Sequence, residues 1–177
     1  MTACSAALLF GALLASGALA AGAAVAGEEA VSATVTGAAI QQVGFRAMIQ
    51  KEAIMFNLAG SARNNADGSV SVTLQGDRDG IDQTIAAMRT GNKKSSTDNA
   101  VAVAPAPVDP ALKTFTVFDW TSTSRQIDTK YDLVFPLRPD GGRLSHGDAK
   151  AVWNGLAEKV LNADDRAKFM NHLDADD

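Results

Sequence analysis

Between residues 31 and 120, apolar positions fall into short runs of two kinds, alternating and helically spaced, broken by Gly, Asn, Asp and Pro. Residues 31–40, rich in Val, Thr and Ala, predict a strand. Over residues 46–57 the spacing becomes helical, with Phe45, Ile49, Ala53 and Phe56 on one face. Asn57 stands where a left-handed residue would close that helix. A second strand, 59–64, leads through Ala66-Asp67-Gly68 into SVSVTL, where Val70, Val72 and Leu74 share a face. This pair predicts a hairpin. Asp79 is placed to cap a helix from Gly80 to about Arg89, with Ile81, Ile85 and Met88 inward and Gly91 beyond its end. GNKKSSTDN is a polar loop, and AVAVAP and TFTVFDW are two further strand-like runs split by PAPVDP. The order β-α-β-β-α-β, with an extra edge strand, predicts an α+β, ferredoxin-like split βαβ sandwich. In it an antiparallel sheet carries two helices on one face, and the crossovers are right-handed.

The remainder of the chain has a different pattern. KYDLVFPL alternates Tyr131, Leu133, Phe135 and Leu137, and Pro136 confines it to a sheet edge. PDGG is a turn, and Ser145 begins a helix with Asp148 three residues on, in the manner of a capping box. Ala149, Val152, Trp153, Leu156 and Val160 then form a stripe expected to pack. Residues 31–122 are therefore expected to form the principal domain, and 126–177 a C-terminal accessory extension packed on it away from any site.

The first 30 residues are set apart by composition. An apolar stretch from about Ala6 to Leu19 ends at Ala18-Leu19-Ala20, the small-x-small pattern of a cleaved secretory signal. Residues 1–20 are expected to be removed and the protein secreted or periplasmic. An uncleaved anchor reaching about Ala26 is the weaker reading, because alanine and glycine make a poor span. Cys4 lies inside this segment, so the mature chain would have no disulfide.

Composition adds limits. At 177 residues, 46% apolar and 20% charged, the chain fits a globular domain with an extension. A formal net charge of −4 offers no general nucleic-acid footprint, so any anion site must be local. His146 and His172 are far apart in the chain and read as surface residues rather than metal ligands. Asp77, Asp79 and Asp82 lack EF-hand spacing and suit helix capping. Lys93-Lys94 reads as a solvated loop, and neither a G-x-S-x-G elbow nor a Walker loop is present. No metal or cofactor is expected.

One local feature stands out. In IQQVGFRAMIQKEA, the chain's first basic residue, Arg46, sits at a helix N-terminus, the end where the macrodipole disfavours a cation. Either Arg46 turns outward as a solvated first-turn residue, or it shares a bound anion with the surrounding amides.

The segments QQVGFR (Gln41–Arg46), Ala53 seven residues on, GSARN (Gly60–Asn64), DGSVSV (Asp67–Val72) and Gln75-Gly76 together resemble the acylphosphatases. That family's pattern reads VQGVGFR, an alanine at that spacing, GWVRN, and DGSVEV with a following QG. The ordered set, including the eighteen-residue step from Arg46 to Asn64, runs from about Thr34 to Trp120.

The resemblance implies hydrolysis of the carboxylic–phosphoric anhydride of an acyl phosphate to carboxylate and inorganic phosphate. It implies a phosphate-binding loop of Gln41, Gln42, Val43, Gly44, Phe45 and Arg46, with the Arg46 fork gripping phosphate oxygens. It implies that Asn64 orients the attacking water, with no metal and no covalent intermediate. The partners are then a small acyl phosphate and inorganic phosphate, without nucleic acid or, once the signal is cleaved, stable membrane association; a monomer is expected. The chain departs from the family pattern at Gln42, where glycine is usual, at one extra residue between Gly37 and Val43, and at Ser61 in place of tryptophan. Common acyl phosphates are cytosolic, so a second reading stays open: a secreted, non-catalytic anion-binding or interaction module on the same fold.

Overall fold

The computed structural model describes residues 27–122 and 129–175. The expected export signal lies outside the described residues. The elements are β1 (Glu28–Thr36), α1 (Phe45–Phe56), β2 (Ala59–Asn64), β3 (Val70–Asp77), α2 (Arg78–Thr90), β4 (Ala100–Pro105), β5 (Thr114–Trp120), β6 (Tyr131–Pro136), α3 (His146–Val160) and α4 (Ala163–Ala175). The strands form one sheet in the order β4-β1-β3-β2-β5-β6. All neighbours are antiparallel except β2 and β5, which run parallel. The sheet is thus mixed rather than wholly antiparallel, because β5 reaches β2 from the far side of the molecule and not through a hairpin.

Alternation places Val35, Val70, Val72, Leu74, Phe115, Val117, Leu133 and Phe135 in the core. Phe45, Ile49, Ala53 and Ile54 of α1 and Ile81, Ile85 and Met88 of α2 are buried with them. Asn57 closes α1 with φ 56° and ψ 44°, the expected left-handed cap. Helix α2 begins two residues before the expected start. Asp77, not Asp79, is its cap, the Asp77 carboxylate accepting from the Asp79 amide at 3.0 Å. Among the described residues no helix is long and apolar enough to cross a membrane.

The C-terminal extension is built into the fold. β6 adds to the sheet edge beside β5, and α3 packs against α1 on the side away from α2, so three helices rather than two cover this face. Ser145 caps α3 as its sequence predicts, accepting from the Asp148 amide. The buried positions of α3 are Ala149, Trp153 and Ala157, an i, i+4 row, while Val160 is 38% exposed. The chain leaves the helix at Leu161, which is buried in place of Val160. Helix α4 was not expected from the sequence. Phe169 of α4 stacks edge-on to Trp120 at 5.6 Å and lies 5.7 Å from Trp153, and Trp153 in turn meets Trp120 edge-on at 5.7 Å.

A buried glutamine ties these parts together. Gln50 of α1 is fully buried. Its Nε2 donates to the carbonyls of Phe115 and Leu133, at 3.3 and 2.7 Å, and its Oε1 accepts from Trp153 Nε1 at 3.1 Å. Two of those partners, Leu133 and Trp153, belong to the extension. Without it, a polar helix position facing the core would keep only the Phe115 carbonyl of its three partners.

Candidate active site

The eight-residue loop 37–44 carries the chain from the end of β1 into α1. Gly44 is the N-cap of α1 and takes φ 74°, a conformation that glycine adopts without strain. No side chain caps this end, and the amides of Val43 to Ala47 donate to no acceptor among the described residues. Several free N–H groups thus face outward at the positive end of a helix dipole, an arrangement suited to an anion.

The loop is fixed on both flanks. Gln41 Nε2 donates to the carbonyls of Asn65 and Ser69, at 2.9 and 2.8 Å, holding it against the β2–β3 hairpin. On the other flank Asn92 Nδ2 donates to the Val43 carbonyl at 3.0 Å, and the Ser96 amide donates to the Ala39 carbonyl at 2.8 Å. Gln41 is therefore an anchor of the loop. Gln42 takes φ 60°, in the left-handed region. The conformation that glycine gives freely is present here under a glutamine, at a cost of about 1–2 kcal/mol. We expect Gln42→Gly to raise stability by about 1 kcal/mol in urea unfolding, with the loop path unchanged. A destabilised variant would show that the glutamine side chain itself holds the loop.

Arg46 turns back across the sheet. Its Nη1 donates to the Phe118 carbonyl and its Nη2 to the Asp119 carbonyl, the latter at 3.3 Å. A register shift in β5 between Val117 and Trp120, with Asp119 at φ 52°, turns these carbonyls toward the arginine. Three of the five guanidinium N–H groups remain for a ligand. Burial pulls the Arg46 pKa below its ordinary value, and the Asp119 carboxylate opposes that shift. A partly desolvated cation of this kind gains more from an anion than an exposed one does.

A cavity of about 500 Å³ opens beside the loop, lined by Gln42, Val43, Gly44, Phe45 and Arg46, and also by Asn92, Lys93 and Lys94. Gln41 and Asn64 are not on this wall. Asn64 ends β2, next to the Asn65 carbonyl that Gln41 holds, so it borders the loop from the hairpin side. Its Oδ1 is buried and has no hydrogen-bond partner among the described residues. A buried carbonyl oxygen without a donor is costly unless a ligand or water supplies one.

The extension, expected to lie away from the site, instead contributes His146, Lys150, Trp153 and Phe169 to the same cavity wall. The cause is the packing of α3 against α1, whose first turn carries Arg46. The carbonyls that hold Arg46 were also missed from the sequence. The signal that could have found them is Asp119, a charge falling where alternation in TFTVFDW calls for an inward residue. Among the described residues no group of three His, Cys, Asp or Glu side chains is placed to hold a metal ion.

The acylphosphatase family profile matches residues 31–117. An acylphosphatase of Chlorobaculum tepidum is 36% identical over 90 residues, which cover 51% of this chain and 96% of that protein. One from Koribacter versatilis is 37% identical over 83 residues, covering 47% and 74% respectively. The solved structure of an acylphosphatase from Coxiella burnetii aligns with a TM-score of 0.46 at 27% identity, over 51% of this chain and 93% of that one. With the loop, the arginine and the asparagine in their expected order on a split βαβ sandwich, the chain belongs to the acylphosphatase family, as a member whose sheet and helical layer are extended at the C-terminus.

Proposed function

We propose that this acylphosphatase cleaves the anhydride bond of a small acyl phosphate by direct attack of water, without a metal. The observation that supports it best is the pairing of unsatisfied amides at the α1 N-terminus with Arg46 on the same cavity wall. The phosphoryl group would sit on the amides of Val43 to Arg46, with the remaining Arg46 N–H groups on its oxygens. The water oxygen bonds to phosphorus as the bond from phosphorus to the acyl oxygen breaks. The carboxylate leaves with the bonding pair, and the proton lost by the water passes to phosphate or solvent. Because a carboxylate is a good leaving group, positioning and charge stabilisation suffice.

In this reading the unpartnered Asn64 Oδ1 accepts a hydrogen from the attacking water and aims its lone pair. Asn64→Ala is then expected to lower kcat by on the order of 10²-fold while inorganic phosphate still binds with nearly wild-type affinity. A variant as fast as wild type would remove Asn64 from the reaction. Inorganic phosphate is expected to inhibit competitively, and strong chelators to leave the rate unchanged. Activity lost in chelator and restored by a divalent ion would overturn the metal-free mechanism.

The Ala-rich segment 1–20 supports export of the mature enzyme. N-terminal sequencing of exported protein should begin at Ala21; protein starting at Met1 would contradict cleavage.

A further inference from the structure

Arg46 can meet a phosphoryl group only as well as the two carbonyls behind it are placed. The Phe118 and Asp119 carbonyls take one N–H from each Nη, which leaves the Nε–H and one N–H on each Nη for a ligand. The guanidinium is planar and rigid, so a displacement of those carbonyls would turn the whole fork.

The stretch that carries them is held mainly from one side. The parallel ladder of β5 with β2 ends at Ala62 and Val117. On the other side Val117 pairs with Leu133 and Trp120 with Tyr131, so Phe118 and Asp119 together stand opposite Asp132 alone. Two residues against one make a bulge. Asp119 takes φ 52°, a left-handed conformation that a residue with a Cβ keeps only when its surroundings impose it. The Asp132 side chain of β6 supplies such a restraint, its Oδ1 accepting from the Asp119 amide at 3.0 Å. Lys130 adds a looser contact, with its Nζ 3.9 Å from Asp119 Oδ1 and both side chains exposed. From β2, the Arg63 guanidinium lies over the Phe118 ring, 4.3 Å from its centroid.

We propose that Asp132 is a positioning residue for the reaction. By holding the Asp119 amide it fixes the β5 bulge, and the bulge carbonyls in turn aim the Arg46 fork at the phosphoryl group. Asp132 is not on the cavity wall, so it acts through the backbone of β5 and not on the substrate. This rests on the reading of Arg46 as the group that grips phosphate. It also draws the extension into the site a second way, through β6 as well as through the helices.

The full chain carrying Asp132→Ala or Asp132→Asn tests this. Asp132 is exposed, so neither substitution removes a core side chain. Asparagine keeps an acceptor oxygen for the Asp119 amide, and alanine does not. Calorimetric affinity for inorganic phosphate is expected to fall about fivefold in Asp132→Ala, the scale of one hydrogen bond, and to stay within about twofold of wild type in Asp132→Asn. Nitrogen-15 NMR reads the guanidinium without any ligand. Solvent exchange of the Arg46 side-chain N–H groups should be about fivefold faster in Asp132→Ala than in wild type or Asp132→Asn. An unchanged exchange rate in Asp132→Ala, or a loss shared equally by Asp132→Asn, would overturn the proposal. So would an unchanged phosphate affinity in Asp132→Ala where the wild type binds phosphate. If exchange quickened in Asp132→Ala but the wild type neither bound phosphate nor hydrolysed acetyl phosphate, Asp132 would still position the arginine and the phosphoryl reading would fall.

Discussion

Arg46→Ala is expected to lower kcat/KM for acyl phosphates by on the order of 10²- to 10³-fold, or roughly 3–4 kcal/mol of transition-state stabilisation. The expectation follows from where the side chain lies. Arg46 shares the cavity wall with the loop amides and is partly desolvated, so its charge acts on a bound phosphoryl group with little screening. It should contact phosphate both before and during the reaction, so phosphate affinity should fall together with rate. Arg46→Lys should recover only part of the loss. An ammonium cannot satisfy the carbonyls of Phe118 and Asp119 and also present a planar fork to phosphate. Steady-state rates measured alongside calorimetric phosphate binding check this. Full activity in Arg46→Lys would mean that charge matters and geometry does not.

Trp153→Ala is expected to cost about 3–5 kcal/mol in urea unfolding, close to the whole stability of a small domain. Trp153 is 3% exposed, packs edge-on against Trp120 and contacts Phe169. Its removal opens a cavity between the sandwich and the extension. It also deprives the Gln50 Oε1 of its donor in a fully buried position, which adds an unsatisfied polar group to the loss of packing. Trp153→Phe keeps most of the packing and should cost about half as much. If Trp153→Ala shifted the midpoint only as much as an exposed substitution does, the extension would not be part of the cooperative unit.

These two expectations differ in how readily the sequence showed their basis. Arg46 stood out because local rules conflicted there: a cation at the wrong end of a helix, two residues after Gly44 and followed by helical spacing. The α1 helix and the hairpin around Asp67-Gly68 were legible for the same local reason, since period and turn chemistry agree. Gln50 was not. Beside Lys51 and Glu52 it reads as a solvated helix position, and only the docking of α3 makes it a buried junction. Helix α4 was missed because the only large apolar residues in ADDRAKFMNHLDA are Phe169, Met170 and Leu173, too few to set a period. Its start is marked by Asn162, whose Oδ1 accepts from the Asp165 amide at 2.8 Å, a signal of the same type as the Ser145 cap. The bulge at Phe118 and Asp119 was hidden because alternation continues up to Val117 and then shifts by one residue. Local chemistry thus pointed to the loop proposed to hold an anion, while the tertiary contacts that bring the extension to its rim were outside the reach of any local pattern.

The most direct measurement is release of inorganic phosphate from acetyl phosphate by the purified chain in the presence of a strong chelator. The account predicts release proportional to enzyme concentration, competitively inhibited by added phosphate, and reduced by on the order of 10²-fold or more in Arg46→Ala. Phosphate that binds at the loop without any enzyme-dependent release would contradict it, and would make the protein a binding module on the acylphosphatase fold.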